Sequence, residues 1–324
     1  MKAHRRELSV AIAIFLLALL LAMLAPGYFS RENLTDLFLA NVPVLIVALG
    51  MTLVILLGQI DISVGSIFAI CGVSAGVLAK SGIPLPLAGL SACVAGAALG
   101  AINGLLTAYL RIPSIVVTLA SMVALRDALR WQTQGAWVQD LPAGFQWFGL
   151  SQRAYPLASL VAALLLSVGM AWALRNLAAG RAVYATGSNE ESARLAGIPT
   201  ALVTFSVFGF MGVLTGFAAA LNAVRFNQIP SNAGLGLEMK VIAAVVVGGT
   251  SITGGRGSIA GTVLGVILLG AIGPALTFLG ISAYWERAVQ GAIILAAVVI
   301  DAVRSRAAGA RQDKEGRNLA ASRA

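Results

Sequence analysis

Long apolar runs alternate with short polar or glycine-rich connections along the whole chain. Ten runs reach the roughly 17–25 residues that a helix needs to cross a bilayer. They cover residues 8–25, 41–58, 62–79, 85–108, 113–131, 156–174, 201–222, 238–254, 258–279 and 286–303. The pattern therefore predicts an all-α polytopic membrane protein with about ten transmembrane helices. We expect one transmembrane domain over residues 1–303 and a basic cytoplasmic tail over residues 304–324.

Composition and charge narrow the class further. Of the 324 residues, 59% are hydrophobic and 11% are charged, whereas soluble domains carry about 25% charged residues. The net charge of +9 comes from lysines and arginines in short loops and in the tail. This bias is typical of a cytoplasmic face, so it predicts both termini inside and contact with lipid rather than nucleic acid. We interpret the basic N-terminus and its long apolar run as an uncleaved first helix rather than a signal peptide.

Glycine recurs at every fourth residue in two places. The positions are 96, 100 and 104 in the fourth run and 257, 261 and 265 at the ninth. Such spacing lets helix backbones approach closely in lipid. Both triplets fall in the fourth helix of a five-helix half, which suggests that one half is a duplicate of the other. Because five is an odd number, the duplicated half would have the inverted orientation in the membrane, and such inverted repeats are known in transporters. Two glycine-rich turns do not correspond under that repeat, so the two inverted five-helix halves stay an open alternative.

The stretch "GQIDISVGS", residues 58–66, places a carboxylate and an amide between two apolar runs. Asp61 and Ser63 can cap the third helix, whose first turn then includes Gly65. In the simpler interpretation this is a capped turn at the cytoplasmic side, with its carboxylate at the interface. In the alternative, the stretch, including Gln59, is a broken helix deeper in the bilayer that lines a substrate path or senses a cytoplasmic partner.

A second glycine-rich break is "VVVGGTSITGGRGSIAG", residues 245–261. Its hydroxyls and free backbone groups can satisfy an interrupted helix, and they can also hydrogen-bond a polyhydroxylated ligand. The candidate residues are Gly248, Gly249, Thr250, Ser251 and Thr253. The stretch does not match G-x-x-x-x-G-K-[ST], the pattern of a phosphate-binding loop, so we expect no nucleotide site here.

Charged residues also cluster at the predicted outer ends of two runs. Arg126, Asp127 and Arg130 lie at the fifth run, where Asp127 and Arg130 can pair at i,i+3. Glu238 and Lys240 lie at the start of the eighth run. These residues either fix helix depth at the interface or form a surface on which an external protein docks.

The inner segment 175–200 is polar, and its second half has the pattern of a short helix. Asn189 can act as the N-cap, Glu190 and Glu191 occupy the first turn, and Gly197 ends the helix before Pro199. Elsewhere the chain has no H-E-x-x-H, no G-x-S-x-G and no cysteine–histidine pair. We therefore expect a non-catalytic protein without a metal site.

Four stretches, in this order and spacing, resemble the permease subunits of ribose-type bacterial ABC carbohydrate importers. They are "GQIDISVGS" (58–66), "LRIPSIVVTLASM" (110–122), Gly180 together with the "RAVYATGSNEESARLAGI" that follows it (180–198), and "GLEMKVIAAVVVGGTSITGGRGSIAG" (236–261). The resemblance extends over about residues 40–303. It implies a permease in the bacterial inner membrane that works with a cytoplasmic ABC ATPase, a periplasmic sugar-binding protein and a second permease copy or paralogue. By the same resemblance, ATP and Mg²⁺ bind the partner ATPase, and this chain itself carries no cofactor.

The resemblance also implies that a helix of the inner segment docks on the ATPase. The residues in that position are Ser188, Asn189, Glu190, Glu191, Arg194, Ala196 and Gly197. Gln59, in place of a frequent glycine, and the outer segment 127–150 look most like the rhamnose-type or autoinducer-type branch. We therefore expect import of a monosaccharide, rhamnose or a similar deoxyhexose. The alternatives are autoinducer 2 or a pentose such as ribose on the same machinery, and an ion-coupled secondary transporter.

Overall fold

The computed structural model describes residues 2–282, 284–293, 295–296 and 299, with side chains from residue 7 onward. In this part of the chain the regular structure is helical, apart from one antiparallel bridge between Val138 and Ile229. The helices are α1 (Lys2–Leu24), α2 (Arg31–Leu56), α3 (Val64–Lys80), α4 (Leu85–Ala108), α5 (Ser114–Thr133), α6 (Ala154–Asn176), α7 (Ala178–Ser188), α8 (Glu190–Leu195), α9 (Thr200–Ala223), α10 (Leu237–Val247) and α11 (Ile259–Phe278). Short 3-10 turns cover Pro26–Phe29 and Gln146–Gly149, and residues 285–293 are helical. The predicted basic tail lies outside the described residues.

The predicted all-helical polytopic fold is confirmed. Among the described residues, six helices are long and apolar enough to cross a membrane: α1 from Glu7, α2, α4, α6, α9 and α11. Helix α2 begins ten residues before the predicted run, because the Ser30 hydroxyl accepts a hydrogen bond from the Asn33 backbone N–H (3.3 Å) and caps it. Helix α3 is apolar but shorter, with 17 residues.

The predicted eighth span, residues 238–254, is wrong. Helix α10 has only 11 residues, which corresponds to about 16 Å and is too short for a hydrocarbon core of about 30 Å. It ends at Gly248, and Gly249 follows with φ +98°, a left-handed conformation that glycine adopts without strain. The chain therefore has a half-helix here, followed by a glycine-rich loop inside the bundle.

Helix α2 is the centre of the bundle. Its most apolar window is 78% buried, compared with 11% for the window of α1. Helices α9, α11, α10 and α6 pack around it. Large apolar side chains on the outer helices, such as Phe15 on α1 and Leu165 on α6, are exposed, as expected for surfaces in contact with lipid.

The glycine triplets bring helix backbones into contact, as predicted. A Cβ atom on Gly96 would collide with the Gly212 carbonyl of α9, and one on Gly212 would collide with the Gly96 carbonyl. On α11, a Cβ on Gly261 or Gly265 would collide in the same way with backbone carbonyls of α10 and its C-cap. The first triplet thus joins α4 to α9 and the second joins α11 to α10. The predicted duplication into inverted halves stays a prediction.

Candidate functional site

Residues 58–66 extend into the bundle alongside α5. The Ile60 N–H donates to the Ser114 hydroxyl (3.2 Å), and six residues later the Ser66 hydroxyl donates to the Met122 carbonyl (2.8 Å). Because eight helical residues separate Ser114 from Met122, the segment rises about 12 Å along the α5 axis. A rise of this length favours the interpretation of residues 58–66 as a broken helix inside the bundle over that of a capped turn at the cytoplasmic side.

Asp61 lies in this segment and is fully buried. Its Oδ1 accepts hydrogen bonds from the Ser63 N–H (2.9 Å) and the Ser63 hydroxyl (2.6 Å), and the Asn103 amide donates in turn to that hydroxyl (2.9 Å). The Ser121 hydroxyl donates to the Asn103 carbonyl oxygen (2.6 Å), which completes a chain across α3, α4 and α5. The expected side-chain cap at Ser63 is absent. The Ser63 N–H and hydroxyl both donate to Asp61 in an Asx-type turn, and the hydroxyl oxygen accepts from the Asn103 amide rather than from an N–H of the first turn of α3. Asp61 Oδ2 has no hydrogen-bond partner among the described residues.

The first turn of α3 faces the start of α10. A Cβ added to Gly65 would collide with the Glu238 carboxylate. The same Cβ would lie 2.5 Å from the Gly234 carbonyl oxygen and 3.4 Å from Arg126 Nη2. Arg126 also donates to the Ala233 carbonyl (2.9 Å). Glu238 is 8% exposed, and its Oε2 lacks a hydrogen-bond partner within the described chain. The sequence places Glu238 at an outer helix end, whereas the structure buries it, because α10 is a half-helix that begins inside the bundle.

The remaining charged residues expected at the outer face have different settings. Asp127 and Arg130 form the predicted i,i+3 pair (3.7 Å) and are exposed. Lys240 is half-buried and forms an ion pair with Glu286 (3.8 Å). The sequence pattern does not predict this partner. A docking role for an external protein stays a prediction, and among these residues the exposed pair fits it best.

The second glycine-rich break follows α10 and meets the first. The Gly255 N–H donates to the Leu56 carbonyl (2.8 Å), and a Cβ on Gly58 would lie 3.5 Å from the Thr253 carbonyl. Within this break, the Ser251 and Thr253 hydroxyls share a hydrogen bond (2.9 Å). Thr250 is buried beside Gly257, and its hydroxyl has no hydrogen-bond partner in the described part of the chain.

The inner segment contains the predicted short helix, α8, and a second helix, α7, that was not predicted. Asn189 caps α8 by accepting a hydrogen bond from the Ser192 N–H (2.8 Å), and Gly197, after the C-cap Ala196, has φ +83°. The signal for α7 was the spacing of its buried residues Gly180, Val183 and Thr186, which share one helical face.

The end of α7 packs into the point where the two breaks meet. A Cβ on Gly187 would collide with the Leu56 carbonyl and lie 3.0 Å from the Gly255 nitrogen, and Ser188 contacts Gly255. One turn earlier, the Tyr184 hydroxyl donates to the Gly257 carbonyl (2.9 Å), and burial raises the pKa of Tyr184. We call Leu56, Gly58, Gly187, Gly254 and Gly255 the break junction. It joins both breaks to the helix pair α7–α8.

Helix α8 presents its polar side chains to the protein surface. Glu190, Glu191 and Arg194 are exposed, and the Glu190 carboxylate accepts a hydrogen bond from the Thr200 hydroxyl (3.3 Å). The next residue, Leu195, is 82% exposed, which is unusual for a large apolar side chain on an otherwise polar segment. Nothing in the sequence distinguishes Leu195 from a buried helix residue, so its exposure is visible only in the fold.

Comparison with known proteins places the chain in a class of transport proteins. A family model described as "Branched-chain amino acid transport system / permease component" matches residues 33–298. Because this is well over half of the chain, the chain belongs to this permease family. It is a multi-pass membrane permease and a non-catalytic component of an ABC transport system.

Curated relatives are similar over nearly the whole length. Autoinducer 2 import system permease proteins LsrC from Yersinia pseudotuberculosis serotype O:1b (strain IP 31758) and Salmonella typhi are each 37% identical to this chain over 303 residues. That of Escherichia coli (strain K12 / DH10B) is 38% identical. The alignments cover 92% of this chain and 85%, 86% and 87% of the three relatives. No solved structure matches the chain. The expected relation to the ribose-type and autoinducer-type permeases is confirmed.

Proposed function

We propose that the chain is the membrane-spanning permease of an ABC importer that moves autoinducer 2, or a closely similar small hydroxylated molecule, into the cytoplasm. The names of relatives at 37–38% identity favour this substrate, which was the alternative interpretation, over rhamnose. The structural observation that carries the proposal is the break junction, where the cytoplasmic helix pair contacts both interrupted segments.

The partner ATPase hydrolyses ATP with Mg²⁺ and docks on α8. The exposed Leu195 supports this site, because protein interfaces have an apolar centre with a polar rim, and Leu195 is flanked by charged residues of α8. Closure of the ATPase dimer then moves α7–α8 as a unit. Since Gly187 packs directly on Leu56 and Gly255, the movement reaches both breaks without an intervening flexible side chain.

The substrate path follows the interrupted segments. Intramembrane charged and polar residues are costly unless they line a path or are paired, and residues 58–66 bring Asp61 and Ser63 against Asn103. A periplasmic binding protein delivers the substrate, and a second permease copy or paralogue completes the path. The hydroxylated substrate is bound weakly, because tight binding would slow release.

The test is ATP hydrolysis by the complex in nanodiscs, stimulated by the binding protein loaded with autoinducer 2, rhamnose or ribose. We expect stimulation by autoinducer 2, loss of stimulation in Glu190→Lys plus Glu191→Lys with the complex still assembled, and no loss in Glu32→Lys. Glu32 is the matched control because it is an exposed carboxylate in the first turn of α2.

Three results would contradict parts of the proposal. Stimulation by rhamnose alone would retain the importer and refute the substrate. Full stimulation of the double variant would refute the docking site. Uptake that follows an ion gradient, with no copurifying ATPase, would refute the importer and favour a secondary transporter.

A further inference from the structure

A polar cavity of ≈ 510 Å³ lies between α8 and the cytoplasmic ends of α4, α5 and α9. Its walls come from four parts of the chain: Gln59 at the start of the first break, the end of α4 and the connection to α5, the charged residues of α8, and the start of α9. The lining residues of the second and fourth parts are Thr107, Ala108, Arg111, Ile112, Pro113, Ala201 and Thr204. The cavity is thus bounded on one side by α8, the helix that we propose to dock on the ATPase. On another side it is bounded by the start of the first break, which leads to Asp61.

The lining of the cavity mixes hydrogen-bond donors and acceptors. Arg111 and Arg194 donate, Glu190 and Glu191 accept, and the Gln59 amide does both. The two guanidinium groups balance the two carboxylates, so the cavity favours a neutral ligand over an ion. A small molecule with several hydroxyl groups, each able to donate and accept, matches such a lining.

The cavity lies at the cytoplasmic end of the first break. Gln59 belongs to its wall, and Asp61 and Ser63 follow within the bundle, where the Ser63 hydroxyl accepts a hydrogen bond from Asn103 of α4. The Thr107 side chain is 8% exposed, and its hydroxyl has no hydrogen-bond partner among the described residues, so this wall retains unused polar capacity. A hydroxylated molecule that leaves the break therefore enters a polar space rather than an apolar one.

We propose that this cavity is a cytoplasmic binding site for a small neutral polyhydroxylated molecule, where the transported molecule pauses before release. The proposal rests on the proposed function for the identity of the molecule. Because the charged residues of α8 form one wall, movement of α8 changes the shape of the site and links ATP hydrolysis to release.

The test is protection of introduced cysteines by autoinducer 2 in inside-out membrane vesicles that contain the whole complex. Ala108→Cys and Ala201→Cys place small thiols in the lining of the cavity, one from α4 and one from α9, and Ala179→Cys places one on an exposed part of α7 outside it. The background carries Cys93→Ser, while the native Cys71 is buried. The rate of modification by a small thiol reagent is measured with and without autoinducer 2, in the absence of binding protein.

We expect saturating autoinducer 2 to slow modification of both cavity thiols severalfold and to leave the Ala179→Cys thiol unchanged. Thr204→Val, which keeps the side-chain volume and removes one hydroxyl from the wall, should raise the concentration needed for half-maximal protection about two- to tenfold. Equal rates with and without autoinducer 2 would overturn the proposal. Unreactive cavity thiols beside a reactive Ala179→Cys would also overturn it, since the ATPase would then fill the cavity.

Uptake by the unmodified complex separates this proposal from the proposed function. If the complex imports autoinducer 2 and the cavity thiols are unprotected, only the cytoplasmic site is wrong. If autoinducer 2 is not imported but rhamnose is imported and protects both thiols, the site stands and the substrate is wrong.

Discussion

Replacing Gly187 with alanine tests whether the break junction transmits movement from α7–α8 to the breaks. The added Cβ would collide with the Leu56 carbonyl oxygen and lie 2.8 Å from the Leu56 carbonyl carbon and 3.0 Å from the Gly255 nitrogen. All three are backbone atoms, which cannot rotate away as a side chain can, so one of the segments has to move.

The size of the effect follows from two opposing contributions. Alanine favours the helix over glycine by about 0.5–1 kcal/mol, whereas overpacking a close contact costs about 1–3 kcal/mol. The difference between the two ranges is about 0–2.5 kcal/mol against the joined state. Because the added Cβ would meet backbone atoms, we expect a value near the upper end, about 2 kcal/mol, which corresponds to about a 30-fold shift in the population of the joined state. We expect the variant to retain basal ATP hydrolysis and to lose most of the uptake per ATP hydrolysed.

The assay compares uptake and ATP hydrolysis in the same proteoliposomes. Gly169→Ala is the matched control, because Gly169 is also helical and a Cβ there would meet nothing within 4 Å. If Gly187→Ala keeps the same ratio of uptake to ATP hydrolysis as Gly169→Ala and the native protein, the junction does not transmit the movement, and the reasoning is wrong.

Three further substitutions test the bundle interior. Asn103→Leu removes both hydrogen bonds of a buried amide. The Ser121 hydroxyl loses its acceptor at a cost of about 1–3 kcal/mol, while the Ser63 hydroxyl keeps its bond to Asp61, so the variant should lower the thermal unfolding midpoint and uptake together. Glu238→Gln replaces the buried carboxylate beside Gly65, at the end of the first break, with an amide and should reduce uptake more than stimulated ATP hydrolysis, whereas Glu32→Gln on the exposed first turn of α2 should change neither; equal effects would contradict a place for Glu238 on the path along the first break. Gly212→Ala forces α4 and α9 apart at a cost of about 1–3 kcal/mol and should reduce the yield of folded protein, while Gly209→Ala, with open space at its Cβ, should not.

The sequence was enough to predict those parts of the protein that depend on residues near one another in the chain. In a bilayer the backbone must satisfy its own hydrogen bonds, so long apolar runs predict helices, as they did for α4, α6 and α11. The short helix α8 was equally predictable, because its N-cap Asn189 and the glycine that ends it, Gly197, lie within nine residues of sequence.

The depth of the interruptions in the bundle and the residues that they contact are seen only in the folded chain. Ile60 hydrogen-bonds Ser114, 54 residues away, and Gly187 packs on Leu56 across an even longer separation. Apolar periodicity records which face of a helix is buried but not which distant backbone it meets. For that reason Glu238 was expected at an outer helix end although the half-helix α10 buries it, and the polar cavity beside α8 had no signature in the sequence.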